Sequence, residues 1–318
     1  MSIHIELSNG VKMPLIGLGT YELNGNTGIE AVQVALQTGY RALDAAWLYN
    51  NQEEIGEAIA NAVNTGVVRR EELFITTKVS PQFYDSQESI KENCRYSLSK
   101  LRLQYVDLLL LHAPWAVKKV EGDTSPTVNG KCMTVPCDLA QVWKGMETCM
   151  DQGLTKAIGV SNFNSKQLQL VLDNARIRPV VNQVECHIYQ QQKKLQSFMA
   201  ERGVVMISYG CLGSPGRNNP DKSDIGLQNM LEHSVVKSIG ERHGKLPSQV
   251  CLRFLIQSGI AVIPKSATPA RIKSNFDICD FALNAAEMDS ISEMHSGKRV
   301  FTFDNVKHDA NYPFHDEF

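Results

Sequence analysis

Four side chains that can exchange or hold protons follow short apolar runs early in the chain. Asp44 ends the run YRALD, and Tyr49 lies five residues later in GYRALDAAWLYNN. Lys78 ends LFITTK, and His112 ends VDLLLLH. A buried carboxylate is costly unless it is paired with a cation or hydrogen-bonded. We therefore expect Lys78 to pair with Asp44 and to lie near Tyr49.

The types of these four residues predict proton transfer to a carbonyl oxygen. A free tyrosine has a pKa of about 10. A lysine about 4 Å away at an effective dielectric near 20 contributes about 4 kcal/mol, which would lower that pKa by about three units. Tyr49 is then the proton donor, Asp44 keeps Lys78 charged, and a neutral His112 orients the carbonyl. Since a phenol acid beside a carbonyl-binding histidine lacks a nucleophile, the reaction needs hydride from a cofactor.

Eight short apolar runs bounded by polar or turn residues are predicted to be the strands that position these side chains. They are LIGLGTY (15–21), YRALD (40–44), LFITTK (73–78), VDLLLLH (106–112), KAIGVSN (156–162), VVNQVE (180–185), VVMISY (204–209) and GIAVIPKS (259–266). Segments of helical periodicity separate most of them, such as the apolar stripe from Ile55 to Val63 and that from Leu139 to Met150. Alternating buried strands and helices predict an α/β fold, a (β/α)8 TIM barrel, as a single domain over 1–318.

The ends of the predicted strands indicate where the chemistry takes place. In (β/α)8 barrels the active site lies at the carboxyl ends of the strands. We expect an N-terminal β-hairpin over 3–15 with a two-residue turn at Asn9-Gly10. Long loops over 113–136 and 210–229 follow the fourth and seventh strands, and we expect them to form walls or lids of the catalytic face.

A cofactor signal appears in IPKSATPARIKSN, residues 263–275. Thr268 followed by Pro269 predicts the start of a helix, whose free amides and dipole attract anions. Lys265, Ser266 and Arg271 surround that point. Such a cluster suits a phosphate monoester and predicts NADPH as the cofactor.

Composition and charge exclude several partners. The chain has 318 residues, a net charge of −2 and 43% hydrophobic residues, so nothing in its charge favours nucleic acid or an anionic membrane. Glu6 stands where a signal peptide needs its apolar run, which predicts a cytoplasmic protein. Eight cysteines are scattered without CxxC spacing, and we expect free thiols and no metal, although Cys132 and Cys137 share one loop.

Nearly the whole chain resembles the aldo-keto reductase superfamily. GYRALDAAWLYNNQEEIG, LFITTK and VDLLLLHAP match the motifs that carry the family's catalytic tetrad, and NYPFHDEF resembles the C-terminus of its aldose and aldehyde reductase branch. The resemblance implies a monomer that reduces a small carbonyl compound with NADPH and uses no metal. It assigns catalysis to Asp44, Tyr49, Lys78 and His112.

The same resemblance assigns residues to cofactor and substrate. Cofactor contacts are expected from Gly19, Thr20, Tyr21, Asp44, Ser161, Asn162, Gln183, Tyr209, Leu212, Ser214, Lys265, Ser266, Thr268, Arg271 and Asn275. Within this set, Ser161 and Asn162 bind the nicotinamide amide and Tyr209 stacks on the ring. Substrate contacts are expected from Tyr21, Leu48, Tyr49, His112 and Trp115.

Several positions depart from the family pattern. Ala113 stands where the aldose reductase branch has tryptophan, and Val79-Ser80 stands for Leu-Trp. Trp115, Trp47 or the aromatic tail could refill that space. The lysine and aspartate that latch the cofactor loop in the family are Glu22 and Gly216 here, so a reversed Glu22 to Arg217 pair is one alternative. Ser274 replaces a glutamate that contacts adenine.

Two other functional classes stay open at this point. A structural or sensor protein could bind NADPH without turnover, because this fold has non-enzymatic users. A Schiff-base aldolase could use Lys78 or Lys265, although a lysine paired with Asp44 is a poor nucleophile. The carbonyl substrate itself is not named by any motif, and sugars, lipid aldehydes and steroid ketones all fit.

Overall fold

An N-terminal hairpin opens the described part of the chain. The computed structural model describes residues 4–215 and 229–316. Strands β1 (His4–Glu6) and β2 (Lys12–Pro14) pair antiparallel, which confirms the predicted hairpin. Its loop is one residue longer than expected, because the amide of Gly10 donates to the carbonyl of Leu7 and Gly10 takes a φ of 82°. This is the three-residue hairpin loop with a left-handed glycine.

The central element is an eight-stranded parallel sheet whose strands follow one another in chain order. The strands are β3 (Gly17–Gly19), β4 (Ala42–Asp44), β5 (Phe74–Val79), β6 (Leu108–Leu111), β11 (Ile158–Ser161), β12 (Val181–Glu185), β13 (Val205–Tyr209) and β14 (Ala261–Val262). Parallel bridges from Ile16 to Val262 and from Gly19 to Lys265 join the two edges. The predicted barrel and its eight strands are therefore confirmed.

Helices surround this sheet. They are α1 (Gly25–Thr38), α2 (Gln52–Asn64), α3 (Gln87–Leu101), α4 (Leu139–Asp151), α5 (Ser165–Asn174), α6 (Lys193–Ala200), α7 (Ser234–His243), α8 (Pro247–Gln257), α9 (Pro269–Phe276) and α10 (Ala285–Ser292). Each helix from α1 to α5 packs against the next, and α9 packs against α1. Within the described ranges, no helix is long and apolar enough to cross a membrane.

The apolar stripes seen in the sequence face the sheet. Ile55, Ala58 and Ile59 of α2 are buried, as are Val142 and Trp143 of α4. Helix α4 starts at the N-cap Asp138, whose carboxylate accepts from the amide of Ala140 at 2.9 Å. Burial of these stripes holds the helices against the sheet whose strand ends carry the polar residues.

The long loop after β6 folds against the C-terminal tail. It contains the short strands β7 (Ala116–Val117), β8 (Thr127–Val128), β9 (Lys131–Cys132) and β10 (Thr134–Val135). A second cluster of buried side chains joins this loop to the tail, with members Ala113, Trp115, Val117, Cys132, Val306 and Tyr312. This cluster forms one side of the face where the strands end.

Candidate active site

Asp44, Lys78 and Tyr49 form one hydrogen-bonded group at the strand ends. The Nζ atom of Lys78 donates to Oδ2 of Asp44 at 2.6 Å, to the carbonyl of Ala45 at 3.1 Å and to the hydroxyl of Tyr49 at 3.0 Å. Lys78 is 1% exposed and Asp44 is 3% exposed. Three acceptors match the three donors of an ammonium group. The cation that pairs with the buried carboxylate of Asp44 is therefore Lys78.

Asp44 is held by two further groups. Gln183 on β12 donates from Nε2 to Oδ1 of Asp44 at 2.7 Å. The hydroxyl and the amide of Thr20 donate to the main-chain carbonyl of Asp44 at 2.8 and 3.1 Å. Asn51, fully buried, in turn donates to the carbonyl of Thr20 at 2.6 Å. Both carboxylate oxygens are thus engaged, so Asp44 positions Lys78 and does not face the opening as a free base.

The pKa of Tyr49 differs from the sequence expectation. Burial raises it well above its ordinary value of 10.0, and the charge of Asp44 raises it further. Lys78 is itself neutralised in large part by Asp44, so its positive charge does not produce the expected lowering. The prediction of a lowered pKa was wrong. Tyr49 is a protonated phenol that accepts a hydrogen bond from Lys78 and retains its own proton to donate.

His112 lies beside Tyr49 as a neutral ring. The two ring centroids are 5.8 Å apart at 78°. Burial, followed by the charge of Lys78, lowers the pKa of His112 well below its ordinary value of 6.5. Its Nδ1 is buried and has no hydrogen-bond partner among the described residues. A buried lone pair is tolerated more readily than a buried N–H, which favours the tautomer with hydrogen on Nε2.

Asn162 connects His112 to the far side of the site. Its Nδ2 donates to the carbonyl of His112 at 2.9 Å and to the hydroxyl of Ser161 at 3.2 Å. Its Oδ1 accepts from the hydroxyl of Tyr209 at 2.7 Å. Asn162 adopts a φ of 64°, a left-handed conformation that asparagine tolerates better than most residues. The predicted amide binders and the predicted stacking tyrosine therefore lie in direct contact.

The predicted phosphate cluster lies at the start of α9. Thr268 is the N-cap residue and Pro269 is the first helical residue, as the sequence predicted. The amide of Thr268 donates to the hydroxyl of Ser266 at 3.1 Å, and Arg271 is exposed on the first turn. Asn275, further along the helix, is buried. The cluster lies next to the catalytic group, because Lys265 pairs with Gly19 of β3 and Gly19 pairs with Asp44 of β4.

The other predicted contact residues differ in how exposed they are and in what they contact. Tyr21 is 45% exposed, and its ring centroid is 5.2 Å from that of Tyr49. Leu48 is half-buried on the 3-10 turn that carries Tyr49. Leu212 packs against the main core, and Ser214 takes a φ of 46°.

Trp115 packs within the tail cluster. It is only 7% exposed, and its centroid lies 5.3 Å from that of Phe303. The structure thus brings Trp115 against the tail.

The positions that depart from the family pattern have local explanations. Ser80 is fully buried and caps the 3-10 helix Pro81–Phe83, and the ring of Phe83 lies 5.2 Å from that of Trp47. The carbonyl of Ala113 accepts from the hydroxyl of Tyr84 at 3.1 Å. At both positions, the residue present makes a hydrogen bond of its own: the Ser80 hydroxyl accepts from the amide of Gln82, and the Ala113 carbonyl accepts from Tyr84.

Glu22 has a different partner from the one considered in the sequence. Its Oε2 lies 3.7 Å from Nζ of Lys265, a pair in which both side chains are well exposed. Exposed ion pairs contribute little to stability. Gly216 and Arg217, the other members of the reversed latch, lie outside the described residues.

All eight cysteines are free thiols. In the ranges 4–215 and 229–316, no group of three or more histidine, cysteine, aspartate or glutamate side chains could hold a metal ion. Cys137 instead accepts from the side chain of Asn311 at 3.6 Å, which ties the loop after β6 to the tail.

Sequence reasoning placed Glu185 at the end of a strand but gave it no role. Glu185 ends β12 and is 1% exposed, and its carboxylate accepts from the amides of Val300 and Phe301 in the tail. A carboxylate at the end of a buried run signalled that a partner was needed, as it did for Asp44. One donor, His187, lies two residues further along the chain. The tail amides of Val300 and Phe301 could not be predicted, because they lie more than a hundred residues away in a segment without periodic pattern.

Comparisons with known proteins agree with this geometry. Residues 15–296 match the Aldo/keto reductase family. Over 99% of this chain and 98% of the relative, the sequence is 38% identical to aldo-keto reductase family 1 member C15 of Rattus norvegicus. It is 36% identical, over the same shares, to prostaglandin-E(2) 9-reductase of Oryctolagus cuniculus.

A solved structure extends the likeness to the fold. The aldose reductase of Schistosoma japonicum superposes with a TM-score of 0.92 and 37% identity, covering 99% of this chain and 100% of that one. The predicted resemblance is confirmed. The chain belongs to the aldo/keto reductase family, and it is an oxidoreductase that reduces carbonyl groups with a nicotinamide cofactor.

Proposed function

We propose that this protein reduces aldehydes or ketones to alcohols with NADPH, and that Tyr49 donates the proton. The observation that carries the proposal is the contact of Lys78 with both Tyr49 and Asp44 at 3.0 and 2.6 Å. This group lies where the strands of a (β/α)8 barrel end, which is where such barrels hold their chemistry.

The residues present fit a phosphorylated nicotinamide cofactor. The start of α9 offers a helix N-terminus, a hydroxyl from Ser266, and the cations Lys265 and Arg271, a donor set that suits a phosphate monoester. Cofactor contacts are proposed from Gly19, Thr20, Tyr21, Asp44, Ser161, Asn162, Gln183, Tyr209, Leu212, Ser214, Lys265, Ser266, Thr268, Arg271 and Asn275. When bound, the cofactor supplies a hydride to the carbonyl carbon.

The side chains supply the proton and the orientation. Tyr49 passes its hydroxyl proton to the carbonyl oxygen as charge develops there, and this is downhill because an alkoxide is a stronger base than a phenolate. The ammonium of Lys78, 3.0 Å away, then stabilises the phenolate, which recovers its proton from solvent. His112 donates from Nε2 to the carbonyl and fixes its position. Asp44 prevents Lys78 from turning away.

Substrate contacts are proposed from the residues around the opening. Tyr21, Leu48, Tyr49 and His112 border it, and Trp115 acts with Phe303 as a wall. The relatives named above include a reductase of prostaglandin E2 and an aldose reductase. We propose a small carbonyl compound as the partner, with no metal, nucleic acid or membrane involved.

The proposal extends to the organisation of the protein. We propose that residues 1–318 form one domain, because the main cluster of buried side chains runs from Leu7 to Ile291. We also propose a cytoplasmic monomer. Size-exclusion chromatography with light scattering should give the mass of one chain, 35.4 kDa, and a dimer mass would contradict that part of the proposal.

The other two classes are less consistent with the geometry. A binding protein without turnover has no need for the bonds that hold Asp44, Lys78 and Tyr49 together. An aldolase needs a neutral amine that is free to attack. Burial lowers the pKa of Lys78, but Asp44 opposes that lowering, and the amine is held by three acceptors.

The direct test follows the absorbance of the reduced nicotinamide. Purified protein is mixed with NADPH or NADH and a panel of carbonyl compounds from small aromatic aldehydes to steroid ketones. We expect oxidation of NADPH in preference to NADH. Tight binding of NADPH without oxidation by any member of the panel would favour a sensor role instead.

A further inference from the structure

Glu185 is a buried carboxylate that the proposed chemistry does not use. It lies at the end of β12, two residues after Gln183, and is 1% exposed. Its Oε1 accepts from the amide of Val300 at 2.6 Å, and its Oε2 accepts from the amide of Phe301 at 3.2 Å. A carboxylate that accepts backbone amides forms charge-assisted hydrogen bonds, which are stronger than neutral ones.

A third donor reaches Glu185 from its own strand end. The Nε2 atom of the buried His187 lies 2.9 Å from Oε1. The amide of Gln190 donates to Nδ1 of the same ring at 3.2 Å, so the ring hydrogen is on Nε2 and is donated to Glu185. The strand end and the tail backbone therefore converge on one carboxylate.

The tail is also held by a cation next to Glu185. The guanidinium of Arg299 lies 3.9 Å from the ring centroid of Phe314. Burial lowers the pKa of Arg299, and the charge of Glu185 opposes that lowering. Arg299 and Glu185 line the same small cavity. Glu185 and Arg299 thus lie together where the tail leaves the barrel.

The fixed tail places an aromatic ring on Tyr209. Phe301 and Tyr209 have centroids 5.2 Å apart at 84°, an edge-to-face pair. Gly210 leaves room for this contact, because a Cβ there would lie 2.9 Å from Cε2 of Phe301. Tyr209 in turn donates to Asn162, which donates to the carbonyl of His112.

We propose that Glu185 is a positioning residue that acts through Phe301 to hold the ring of Tyr209 ready for the nicotinamide. This inference rests on the proposed function, because it assumes that Tyr209 is the platform on which the nicotinamide lies. A platform that is already held in place binds its ligand at a smaller entropic cost. Loss of Glu185 should therefore weaken cofactor binding even though Glu185 does not touch the cofactor.

The test compares two buried glutamates with similar bonding. Glu287 is 4% exposed and accepts from the amide of Asn284 and from His243 and Arg242, but it joins α10 to α7. Glu185→Gln and Glu287→Gln should both lower the temperature of unfolding measured without cofactor, because each leaves buried donors unpaired. Only Glu185→Gln should raise the Kd for NADPH, measured by quenching of tryptophan fluorescence without substrate.

A second pair of variants separates the ring contact from the stability of the tail. Phe301→Leu keeps the backbone bonds to Glu185 and removes the aromatic edge, and Phe301→Tyr keeps both. We expect Phe301→Leu to raise the Kd for NADPH about two- to tenfold, the range that an edge-to-face pair contributes. Phe301→Tyr should bind NADPH as the wild type does, and Glu185→Gln should resemble Phe301→Leu.

The outcomes separate the inference from the function on which it rests. Unchanged Kd values in Glu185→Gln and Phe301→Leu, with NADPH still bound by the wild type, would overturn the inference and leave the proposed function standing. If Glu185→Gln does not fold, Phe301→Leu alone decides in the same way. A wild-type protein that binds no nicotinamide cofactor would overturn both.

Discussion

At the scale of single residues, the pKa of Tyr49 depends on the groups around Lys78 as well as on Lys78 itself. The lysine was expected to lower the pKa of the phenol, but Asp44 lies 2.6 Å from the same ammonium and Tyr49 is itself partly buried. Burial and the carboxylate together raise the pKa of Tyr49. The phenol therefore remains protonated in the resting enzyme and releases its proton only when a stronger base forms beside it.

These pKa directions predict a flat pH dependence of carbonyl reduction. Tyr49 loses its proton only above its raised pKa, beyond 10.0, and His112 gains a proton only well below 6.5. Neither group changes charge near neutrality, so kcat/KM should form a plateau around pH 7. Lys78 sets its alkaline limit, because burial lowers the pKa of that lysine from its ordinary 10.5 although Asp44 opposes the lowering. The measurement is kcat/KM against pH at constant ionic strength. A fall with an apparent pKa near neutrality would show that one of the two groups titrates there after all.

At the scale of elements, the start of α9 should discriminate between cofactors. Arg271 is exposed on its first turn, beside Ser266 and Lys265. Loss of a hydrogen bond between charged groups costs about 1.5–3 kcal/mol, so Arg271→Met should weaken NADPH binding about ten- to a hundredfold. NADH, which lacks the phosphate, should bind as before.

Lys273 provides the control for this prediction. It is an exposed cation on the last turn of the same helix, so Lys273→Met removes the same charge away from the N-terminus. Titration calorimetry with NADPH and NADH gives all the affinities. Equal losses for the two cofactors in Arg271→Met, or equal effects of the two variants, would contradict the phosphate assignment.

The elements also show what sequence could and could not predict. The eight strands could be predicted from short apolar runs, because buried strands are apolar. The polar residue that ends each run marked the end of each strand. The pairing of Lys78 with Asp44 followed from the cost of burying charge. The contact of Glu185 with Val300 did not, since tail residues show no period and their position depends on the completed barrel.

At the scale of the whole molecule, closure of the barrel depends on a close approach of the first and last strands. A Cβ on Gly19 would lie 2.7 Å from the carbonyl of Ile263, a backbone atom that cannot move alone. On Gly17, the nearest atom would be the Cβ of Ala42 at 3.1 Å. Gly19→Ala should therefore lower the free energy of unfolding by about 1–3 kcal/mol, and Gly17→Ala by less. Urea unfolding of both variants checks this, and equal losses would argue against tight closure at Gly19.

The reaction of the whole enzyme depends on one proton from Tyr49. The most direct measurement is the single-turnover rate of carbonyl reduction by Tyr49→Phe with NADPH already bound. Tyr96→Phe serves as the control, since Tyr96 is 50% exposed on α3, away from the strand ends. We predict a fall of about 10²- to 10⁴-fold for Tyr49→Phe, an unchanged Kd for NADPH, and a wild-type rate for Tyr96→Phe. A wild-type rate in Tyr49→Phe would contradict the account and assign the proton to another group.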